Sequence, residues 1–363
     1  FPQTAVAQMA NALYERAEWP WFLAGGETLQ WAWRPKGGFE GGTMDFSEGI
    51  LAYLLGVGAP THPLPAASWE ALWRPVGRYG GETLVFTWDG SLFAYLLPLV
   101  WFDLRQQHDA FMDYWTNAVR AVRANWQFTH DHREAFATYR QGWWGLSAAL
   151  GPDGYRAYGS QPGANVHDGT VAPYAVAAAI PLVPELAWRT YRRMVVERPR
   201  AFGRYGLTDA FNVDRRYVCD HVIALDQGMT LLMLENHRTG LIWRLFMSHP
   251  AATRALARAG FAPGAQEEPM VDVIRRGNPG ARVSIPAREQ PVAIDGELAE
   301  WVGQPTLTLT PEDRQHLDSG AIRDARDASM SVFLGHDGAR LYVGGTVTDD
   351  ELVVTHRGLQ IHE

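Results

Sequence analysis

The chain has 363 residues, of which 47% are hydrophobic and 20% are charged, a balance typical of a globular protein with one large domain and a smaller one. Because the formal net charge is −8 and no basic cluster is present, a nucleic-acid partner is not expected. No apolar run reaches about 18 residues, so a membrane span is not expected. The single cysteine, Cys219, excludes an intramolecular disulfide.

Residues 1–261 show apolar residues at helical spacing and predict a mainly α-helical domain. The predicted helices are Thr4–Ala17, Asp45–Val57, Ser91–Arg105, Asp109–Asn125, Trp143–Ala149, Val171–Ile180, Pro184–Val196, Met229–Leu234, Leu241–Met247 and Ala251–Gly260. Long loops between them carry many Trp, Tyr, Asp, His and Gly residues, which favours a helical toroid whose site is built from loops at one end. A helical bundle is the simpler alternative, although bundles usually have short loops.

Residues 262–290 are rich in Pro and Gly and predict a linker. From 291 to 363 the apolar pattern changes to a period of two residues, as in TLTLT and RLYVGGTV. Turns are predicted at Asp337-Gly338 and at Asp349-Asp350. This second part therefore predicts a β-type domain.

The stretch Asp220–Met247 is apolar, yet it carries several ionisable side chains. Asp226 is expected to cap the helix that follows, where the helix N-terminus would keep its carboxylate ionised, as a catalytic base requires. Glu235 lies nine residues later, and on one unbroken helix this spacing places the two carboxylates on opposite faces. The plainer alternative is a structural cap followed by a solvated helix end.

Other carboxylates suit the hydrolysis of a glycosidic bond, which needs a protonated acid and an ionised base or nucleophile. Glu48, in MDFSEGILAYLLG, opens an apolar helix, and the alternative is a capping box with Asp45. Asp168, in HDGTVAP, is a further candidate, and the alternative is that it only stabilises a turn. Rings, amides and charges that suit sugar hydroxyls also occur in the loops, at Arg156, Tyr158, Asp209 and Asn212.

Several other chemistries find no support in the sequence. The GxSxG and HExxH motifs are absent, and the Cys/His spacings of zinc sites are absent too. The glycine-rich segments do not follow predicted strands, which argues against nucleotide binding. No metal ion or other cofactor is therefore predicted.

Four ordered segments make the chain resemble a known family. They are WWGLSAALGPDGYRAYG, DGTVAPYAVAAAIPLVPE, RYGLTDAFN and IALDQGMTLLMLENHRTGLIWRLFM. Together they resemble the bacterial glycoamylase-like domain, the family that contains the β-1,2-glucanases (glycoside hydrolase family 144). The resemblance covers residues 1–261 and implies an (α/α)6 toroid, an inverting mechanism and β-1,2-glucan-type substrates.

The same resemblance implies roles for individual residues. Glu48 of the SEG motif looks like the general acid, and Asp226 of the LDQG motif looks like the base. The residues that would line the cleft are Trp143, Arg156, Tyr158, Asp168, Asp209, Asn212, Glu235 and Asn236. Three departures matter. The resemblance leads us to expect a toroid that lacks the helices usually preceding this start. FTWDGSLFAYLL differs from the usual version, and the family's acid can act through a substrate hydroxyl.

The C-terminal part has a resemblance of its own. VAIDGELAEWVGQPTLTL and DGARLYVGGTVTDDE resemble the start of a family 9-like carbohydrate-binding β-sandwich. The sequence thus predicts an inverting glycoside hydrolase for an oligo- or polysaccharide, foremost an endo-β-1,2-glucanase. A β-1,2-glucan transglycosylase and a non-catalytic glucan-binding protein are the alternatives. The substrate and the appended module predict an extracellular or periplasmic location.

Overall fold

The computed structural model describes residues 4–42, 45–264, 285–288, 298, 301, 305–309, 328–338 and 340–349. The chain divides into two compact units, Phe1–Asn278 and Pro279–Glu363. Within the described ranges no helix is long and apolar enough to cross a membrane. Most of the linker predicted at 262–290 lies outside the described residues, so its bounds stay a prediction.

The first unit is rich in helices. They are α1 (Ala5–Glu15), α2 (Ile50–Val57), α3 (Ala66–Glu70), α4 (Leu92–Trp101), α5 (Tyr114–Asp131), α6 (Ala137–Arg140), α7 (Pro173–Ala178), α8 (Pro184–Glu197), α9 (Ala224–Thr239), α10 (Leu241–Met247) and α11 (Pro250–Arg258). Two short 3₁₀ helices occupy Trp19–Leu23 and Pro199–Ala201.

Short antiparallel strands occupy many of the connections between these helices. They are β1 (Ala32–Arg34), β2 (Gly38–Glu40), β3 (Val76–Tyr79), β4 (Glu82–Val85), β5 (Gln107–His108), β6 (Ala148–Gly151), β7 (Gly154–Ala157), β8 (Thr170–Val171), β9 (Phe202–Gly203), β10 (Gly206–Leu207), β11 (Phe211–Asn212), β12 (Tyr217–Val218) and β13 (Ala262–Pro263). Four consecutive pairs are hairpins, β11 lies between β8 and β12, and β5 pairs with β13. The long predicted loops are therefore partly ordered by backbone hydrogen bonds.

The helices α2, α4 and α7 form the centre of the first unit. A helix that is apolar on nearly all faces is stable only when it is buried on all of them. All six residues of α7 are buried, and seven of the ten residues of α4 are buried. α7 packs against α8 and α9, while α4 packs against α5 and α9. This packing places the N-terminal turn of α9 next to the core.

The helix predicted from Asp109 to Asn125 begins and ends later, at Tyr114 and Asp131. Asp113 is its N-cap, because its side chain accepts a hydrogen bond of 2.9 Å from the Thr116 N–H. Asp109 is buried outside the helix, and its carboxylate accepts hydrogen bonds from the Trp69 indole and the Tyr114 hydroxyl. The sequence pattern therefore predicts the presence of this helix correctly but places its start five residues too early.

The predicted helix Trp143–Ala149 is wrong, since this apolar segment is extended and leads into β6. Gly145 has a φ of +108°, and a Cβ there would meet Val176 at 2.7 Å. The side chain of Asn125 on α5 exchanges two hydrogen bonds of 3.0 Å with the backbone of Leu146. A tertiary partner thus satisfies the backbone groups that a helix would have paired.

The second unit contains a three-stranded antiparallel sheet of β14 (Leu307–Leu309), β15 (Ala328–His336) and β16 (Leu341–Asp349), with β15 in the middle. Asp337 orders the β15–β16 turn, since its carboxylate accepts hydrogen bonds from the Arg340 N–H and the Tyr342 hydroxyl. These strands agree with the period of two in the sequence. The rest of the β-sandwich predicted for 291–363 falls largely on residues outside the described ranges.

Candidate active site

Glu48 lies in the turn that leads into α2. The helix begins at Ile50, so the predicted helix start at Asp45 and its capping box are wrong. Asp45 is instead bridged to the backbone of Trp73, an extended arrangement in which it cannot cap a helix. Glu48 consequently lies just before a buried apolar helix and is exposed to solvent.

The surroundings of Glu48 favour its protonated form. Protein atoms displace water around the carboxyl group and raise its pKa, and the nearby carboxylate of Asp89 raises that pKa further. The backbone N–H of Glu48 itself acts in the opposite direction. A carboxyl group that keeps its proton to higher pH while remaining accessible has the properties of a general acid.

Asp89 is a site residue that the sequence analysis missed. It lies in the turn before α4, where its Oδ1 accepts hydrogen bonds from the Thr87 hydroxyl and the Ser91 N–H, at 3.0 and 2.9 Å. The same turn is packed so closely against Gly159 that a Cβ there would lie 1.8 Å from the Asp89 carbonyl oxygen. The departure of FTWDGSLFAYLL from the usual family version was the available signal, because Asp89 lies in it.

Asp226 is the third residue of α9, so the prediction that it caps the helix is wrong. The residue at the cap position is Ile223, whose side chain makes no capping hydrogen bond. Asp226 is buried, with 6% of its surface exposed. Burial and the neighbouring carboxyl group of Asp209 raise the pKa of Asp226, opposite to the shift expected of a solvated helix cap.

Asp209 reaches this position from the segment between β10 and β11. Its Oδ2 accepts a hydrogen bond of 2.5 Å from the Leu150 N–H at the end of β6. Its own backbone N–H donates to the carbonyl oxygen of His221. Asp209 is buried, with 1% of its surface exposed, and its carboxyl group interacts with that of Asp226. The sequence predicts Asp209 as a cleft residue, and the structure places it beside the proposed base.

Tyr155 marks the point where the carboxyl groups converge. It lies on β7 with 70% of its surface exposed. Partial burial raises the pKa of its hydroxyl, and four carboxyl groups close to it raise that pKa further; they are Glu48, Asp226, Asp89 and Asp209. We call these four residues the acidic cluster. Glu48 and Asp226 are 178 positions apart in the chain, and the fold brings both within electrostatic range of one phenol.

Three of the predicted cleft residues form a separate hydrogen-bond network. The Tyr158 hydroxyl donates to Asp168 Oδ2 at 3.3 Å, and the Asn212 side-chain amide donates to the Asp168 carbonyl oxygen at 3.0 Å. Tyr158 and Asn212 are buried, and Asp168 is half-buried. The network joins β8 to β11 and the end of β7, so it supports the hairpin that carries Tyr155.

Arg156 follows Tyr155 on β7, and successive strand side chains point to opposite faces. It is exposed, and its charge acts on Asp153 and Tyr158. Its predicted role in substrate binding stays a prediction.

Trp143 is fully buried and does not line an accessible surface in this structure. Its ring packs edge-on against Phe211, and the guanidinium of Arg193 covers it with 4.4 Å between the Arg Cζ and the ring centroid. The prediction that it binds substrate is therefore corrected. An apolar ring with no free face contributes to the core and to the cation–π contact.

Glu235 and Asn236 also lie away from the acidic cluster, because nine residues of helix separate Glu235 from Asp226 by about 13 Å. Glu235 pairs with Arg238 at 2.9 Å and accepts a hydrogen bond from Thr239. Asn236 is buried at the junction of α4, α9 and α10. Both residues have partners within the fold, and their predicted roles in substrate binding stay predictions.

Exposed aromatic rings occur on segments that carry residues of the acidic cluster or pair with such a segment. Trp88 directly precedes Asp89 and is 69% exposed. Trp73, which is bridged to the segment before Glu48, is 38% exposed. Together with Tyr155 they offer apolar faces next to acidic groups, an arrangement that suits the C–H faces and hydroxyls of a sugar.

A group of side chains with metal-ligand types occurs within the described residues, and it lies outside the acidic cluster. It consists of the consecutive residues Cys219, Asp220 and His221. Cys219 is buried, whereas His221 Nδ1 pairs with the exposed Asp220 carboxylate at 2.6 Å. Adjacent residues that already pair with each other provide little to enclose an ion.

The sequence pattern of the Glycoamylase family, described as "Putative glucoamylase", matches residues 42–250, more than half of the chain. The chain belongs to the Glycoamylase family. All four residues of the acidic cluster and Tyr155 fall inside the matched range.

Relatives of this family member include enzymes of β-1,2-glucan metabolism. An exo β-1,2-glucooligosaccharide sophorohydrolase (non-reducing end) of Parabacteroides distasonis is 24% identical over 283 residues, covering 70% of this chain and 39% of the relative. The endo-β-1,2-glucanase of Chitinophaga pinensis, solved with sophorotriose and glucose, is 27% identical with a TM-score of 0.66, covering 71% of this chain and 65% of that one.

A β-1,2-glucanase of Parabacteroides distasonis supports the fold alone, with 22% identity and a TM-score of 0.65 over 70% of this chain and 41% of that one. The chain thus spans between about two fifths and two thirds of the length of these relatives. The helix-rich first unit and the family assignment agree with the resemblance of residues 1–261.

Proposed function

We propose that the chain carries the catalytic site of an inverting glycoside hydrolase that cleaves β-1,2-glucan, foremost as an endo-β-1,2-glucanase. The observation that carries this proposal is the convergence of Glu48 and Asp226, two carboxyl groups with raised pKa values, at the exposed ring of Tyr155. The names of the sophorohydrolase and the endo-β-1,2-glucanase support the β-1,2 linkage.

In the proposed reaction Glu48 is the general acid and Asp226 is the general base. The ionised carboxylate of Asp226 takes a proton from a water molecule, whose oxygen attacks the anomeric carbon. The bond from that carbon to the glycosidic oxygen breaks, and Glu48 supplies a proton to the leaving oxygen, directly or through a substrate hydroxyl. The products are two sugars with new hydroxyl groups, and Glu48 ends ionised while Asp226 ends protonated.

The accessibility of the two carboxyl groups supports this assignment of roles. Glu48 is exposed, as a group that must meet a leaving oxygen has to be. Asp226 is buried with 6% of its surface exposed, which suits a partner as small as water. Trp88, Trp73 and Tyr155 would hold the sugar rings by stacking against their apolar faces.

The finer features of fold and location belong to the same proposal. We infer an (α/α)6 toroid for the helical unit, supported by its likeness to the glucanase structures. The three strands β14–β16 would belong to a carbohydrate-binding β-sandwich that holds the enzyme near glucan. Export to the periplasm or the outside follows from a polysaccharide substrate. Cell fractionation followed by immunodetection of the native protein tests the location.

The decisive experiment measures reducing sugars released from linear β-1,2-glucan by the wild type and by Glu48→Gln and Asp226→Asn. The expected result is turnover of β-1,2-glucan by the wild type and a loss of about 10²-fold or more in each variant. Starch and β-1,3-glucan serve as substrate controls. If none of the three glucans is cleaved, the proposal is wrong, whereas cyclic or elongated products would replace hydrolysis with transglycosylation.

The inverting mechanism has its own test. Proton NMR of the first products identifies the configuration of the new reducing end. Inversion of a β-linkage requires that the α-anomer appears first, before mutarotation. Initial release of the β-anomer would contradict the roles given to Glu48 and Asp226.

A further inference from the structure

The carboxyl group of Asp209 has one oxygen whose hydrogen-bond donor is missing. Its Oδ2 accepts from the Leu150 N–H, while its Oδ1 is buried and finds no donor among the described groups. The carboxyl group of Asp226 lies within hydrogen-bonding reach of the Asp209 carboxyl group. Two carboxylates in such contact repel each other when both are ionised, so one of them tends to keep a proton. A proton held between them also supplies the hydrogen-bond donor that the Asp209 carboxyl group lacks.

The backbone around the two residues fixes this contact. Gln227, which follows Asp226 on α9, forms two side-chain hydrogen bonds with the backbone of Leu207, at 3.2 and 2.9 Å. The Thr208 hydroxyl donates to the carbonyl oxygen of Cys219. Both chain neighbours of the pair are thus held, and the Leu150 N–H holds the Asp209 side chain itself.

The other ionisable groups near the pair do not provide that donor. Tyr174 on α7 lies close to both carboxyl groups, but its hydroxyl donates to the Ala148 carbonyl oxygen at 2.6 Å. Tyr217 on β12 donates to the Leu150 carbonyl oxygen at 2.9 Å. Tyr155 also lies close to both carboxyl groups. A phenol that ionises becomes negative, so Tyr155 brings no positive charge that would displace the shared proton.

We propose that Asp209 is a positioning residue of the reaction: it shares one proton with Asp226 and, when it holds that proton, donates a hydrogen bond that orients the Asp226 carboxylate towards the attacking water. This inference rests on the proposed function of Asp226 as the base. One oxygen of Asp226 then accepts from Asp209, and the other accepts the proton of water.

The pair also explains how a buried residue can act as a base. A lone ionised carboxylate at this depth would be costly, whereas a pair with one proton spreads a single charge over two groups. During catalysis the pair takes a proton from water, so the number of protons bound to the pair rises from one to two. Release of one proton to solvent restores the starting state, so the pair is not consumed.

The first test follows the titration of the carboxyl groups and needs no turnover. NMR of the full chain with ¹³C-labelled aspartate compares the wild type with Asp209→Asn, in which the amide can donate to Asp226 and accept from the Leu150 N–H. The titration midpoint of Asp226 is expected to fall by at least about one pH unit, because the neighbouring charge is removed. Asp168→Asn, which alters a buried network elsewhere, is the matched control. An unchanged midpoint in Asp209→Asn overturns the pair.

The second test separates positioning from packing. Asp209→Leu is similar in size but cannot donate, whereas Asp209→Asn can. On β-1,2-glucan, kcat of Asp209→Leu is expected to fall at least about tenfold below that of Asp209→Asn, with similar KM. The thermal midpoint of Asp209→Leu is expected to be lower, because the Leu150 N–H loses its acceptor, so both variants are assayed well below their midpoints. Equal kcat in the two variants overturns the positioning role. If no variant or wild type shows turnover while the NMR midpoint shifts, the proposed function fails and the proton-sharing pair stands.

Discussion

Asn236 on α9 donates a hydrogen bond of 2.9 Å from its side-chain amide to the carbonyl oxygen of Val100 on α4. Its Oδ1 accepts a second one, of 3.0 Å, from the Trp243 N–H in the first turn of α10. One buried amide thus joins three helices and satisfies a free N–H at a helix start. A residue that resembles a substrate ligand in the sequence is a structural link in the folded chain.

Asn236→Ala is expected to lower the free energy of unfolding by about 2–4 kcal/mol, because a buried donor and a buried acceptor both lose their partner. Urea unfolding followed by tryptophan fluorescence measures the loss. Glu235→Gln is the matched control on the next residue, and its effect should be much smaller, since Glu235 pairs with Arg238 on the surface. Equal losses in the two variants would contradict the structural role of Asn236.

A second prediction concerns the pH dependence of the proposed acid. Burial and then the Asp89 carboxylate raise the pKa of Glu48, so Asp89→Asn should lower that pKa. Since the acid must be protonated, the alkaline limb of kcat/KM is expected to move to lower pH in this variant. The amide can still accept the hydrogen bonds from Thr87 and Ser91, so the turn should persist.

The control for this profile is Asp153→Asn. Asp153 is an exposed carboxylate in the β6–β7 turn and pairs with Arg215 at 2.9 Å. Its removal should leave the alkaline limb of kcat/KM in place. An alkaline limb that stays unchanged in Asp89→Asn, or that moves to higher pH, would show that Asp89 does not act on the general acid.

How far the sequence could lead depends on the range of the interactions involved. Helices such as α8 and α10 were predicted nearly to the residue, because their apolar spacing and their Pro or Gly boundaries are local features. Residues 143–149 were mistaken for a helix, since a short apolar run fits a buried extended segment equally well. Contacts with other helices decide between them, foremost the two hydrogen bonds of Asn125 on α5.

The candidate site shows the same limit. Family motifs indicated Glu48 and Asp226, but the partner of Asp226 could not be read from its own helix. Glu235 is closer in sequence and points elsewhere, whereas Asp209 comes from a loop 17 positions earlier (226 − 209). Whether a carboxyl group is an ionised cap or half of a proton-sharing pair depends on burial and on tertiary neighbours, and neither is encoded in local spacing.

A third prediction concerns Tyr155, whose exposed ring lies among the acidic cluster. Tyr155→Ala is expected to lower kcat/KM on β-1,2-glucan by about tenfold, equivalent to about 1.4 kcal/mol, because a stacking face for sugar is lost. Tyr155→Phe should recover most of this loss if the ring matters more than the hydroxyl. Trp188→Ala, on the half-exposed face of α8, is the control and should leave kcat/KM unchanged. Full activity of Tyr155→Ala would remove this residue from the proposed cleft.

The last prediction links the carboxyl pair to stability. Burial and Asp209 raise the pKa of Asp226 in the folded chain above the ordinary value of about 4 in the unfolded chain. The folded state therefore binds a proton that the unfolded state has lost, and stability falls as pH rises from about 4 through the raised pKa. The wild type should lose up to about 1.4 kcal/mol per pH unit over this window relative to Asp226→Asn.

Urea unfolding at several pH values measures this difference between the wild type and the variant. Asp209→Asn breaks the same pair from the other side and is expected to weaken the same pH dependence. Because both variants keep an amide of nearly equal size, loss of packing cannot mimic a pH-dependent difference. A wild-type advantage or deficit that is constant across the window would mean that Asp226 binds its proton no more tightly in the folded chain than in the unfolded one.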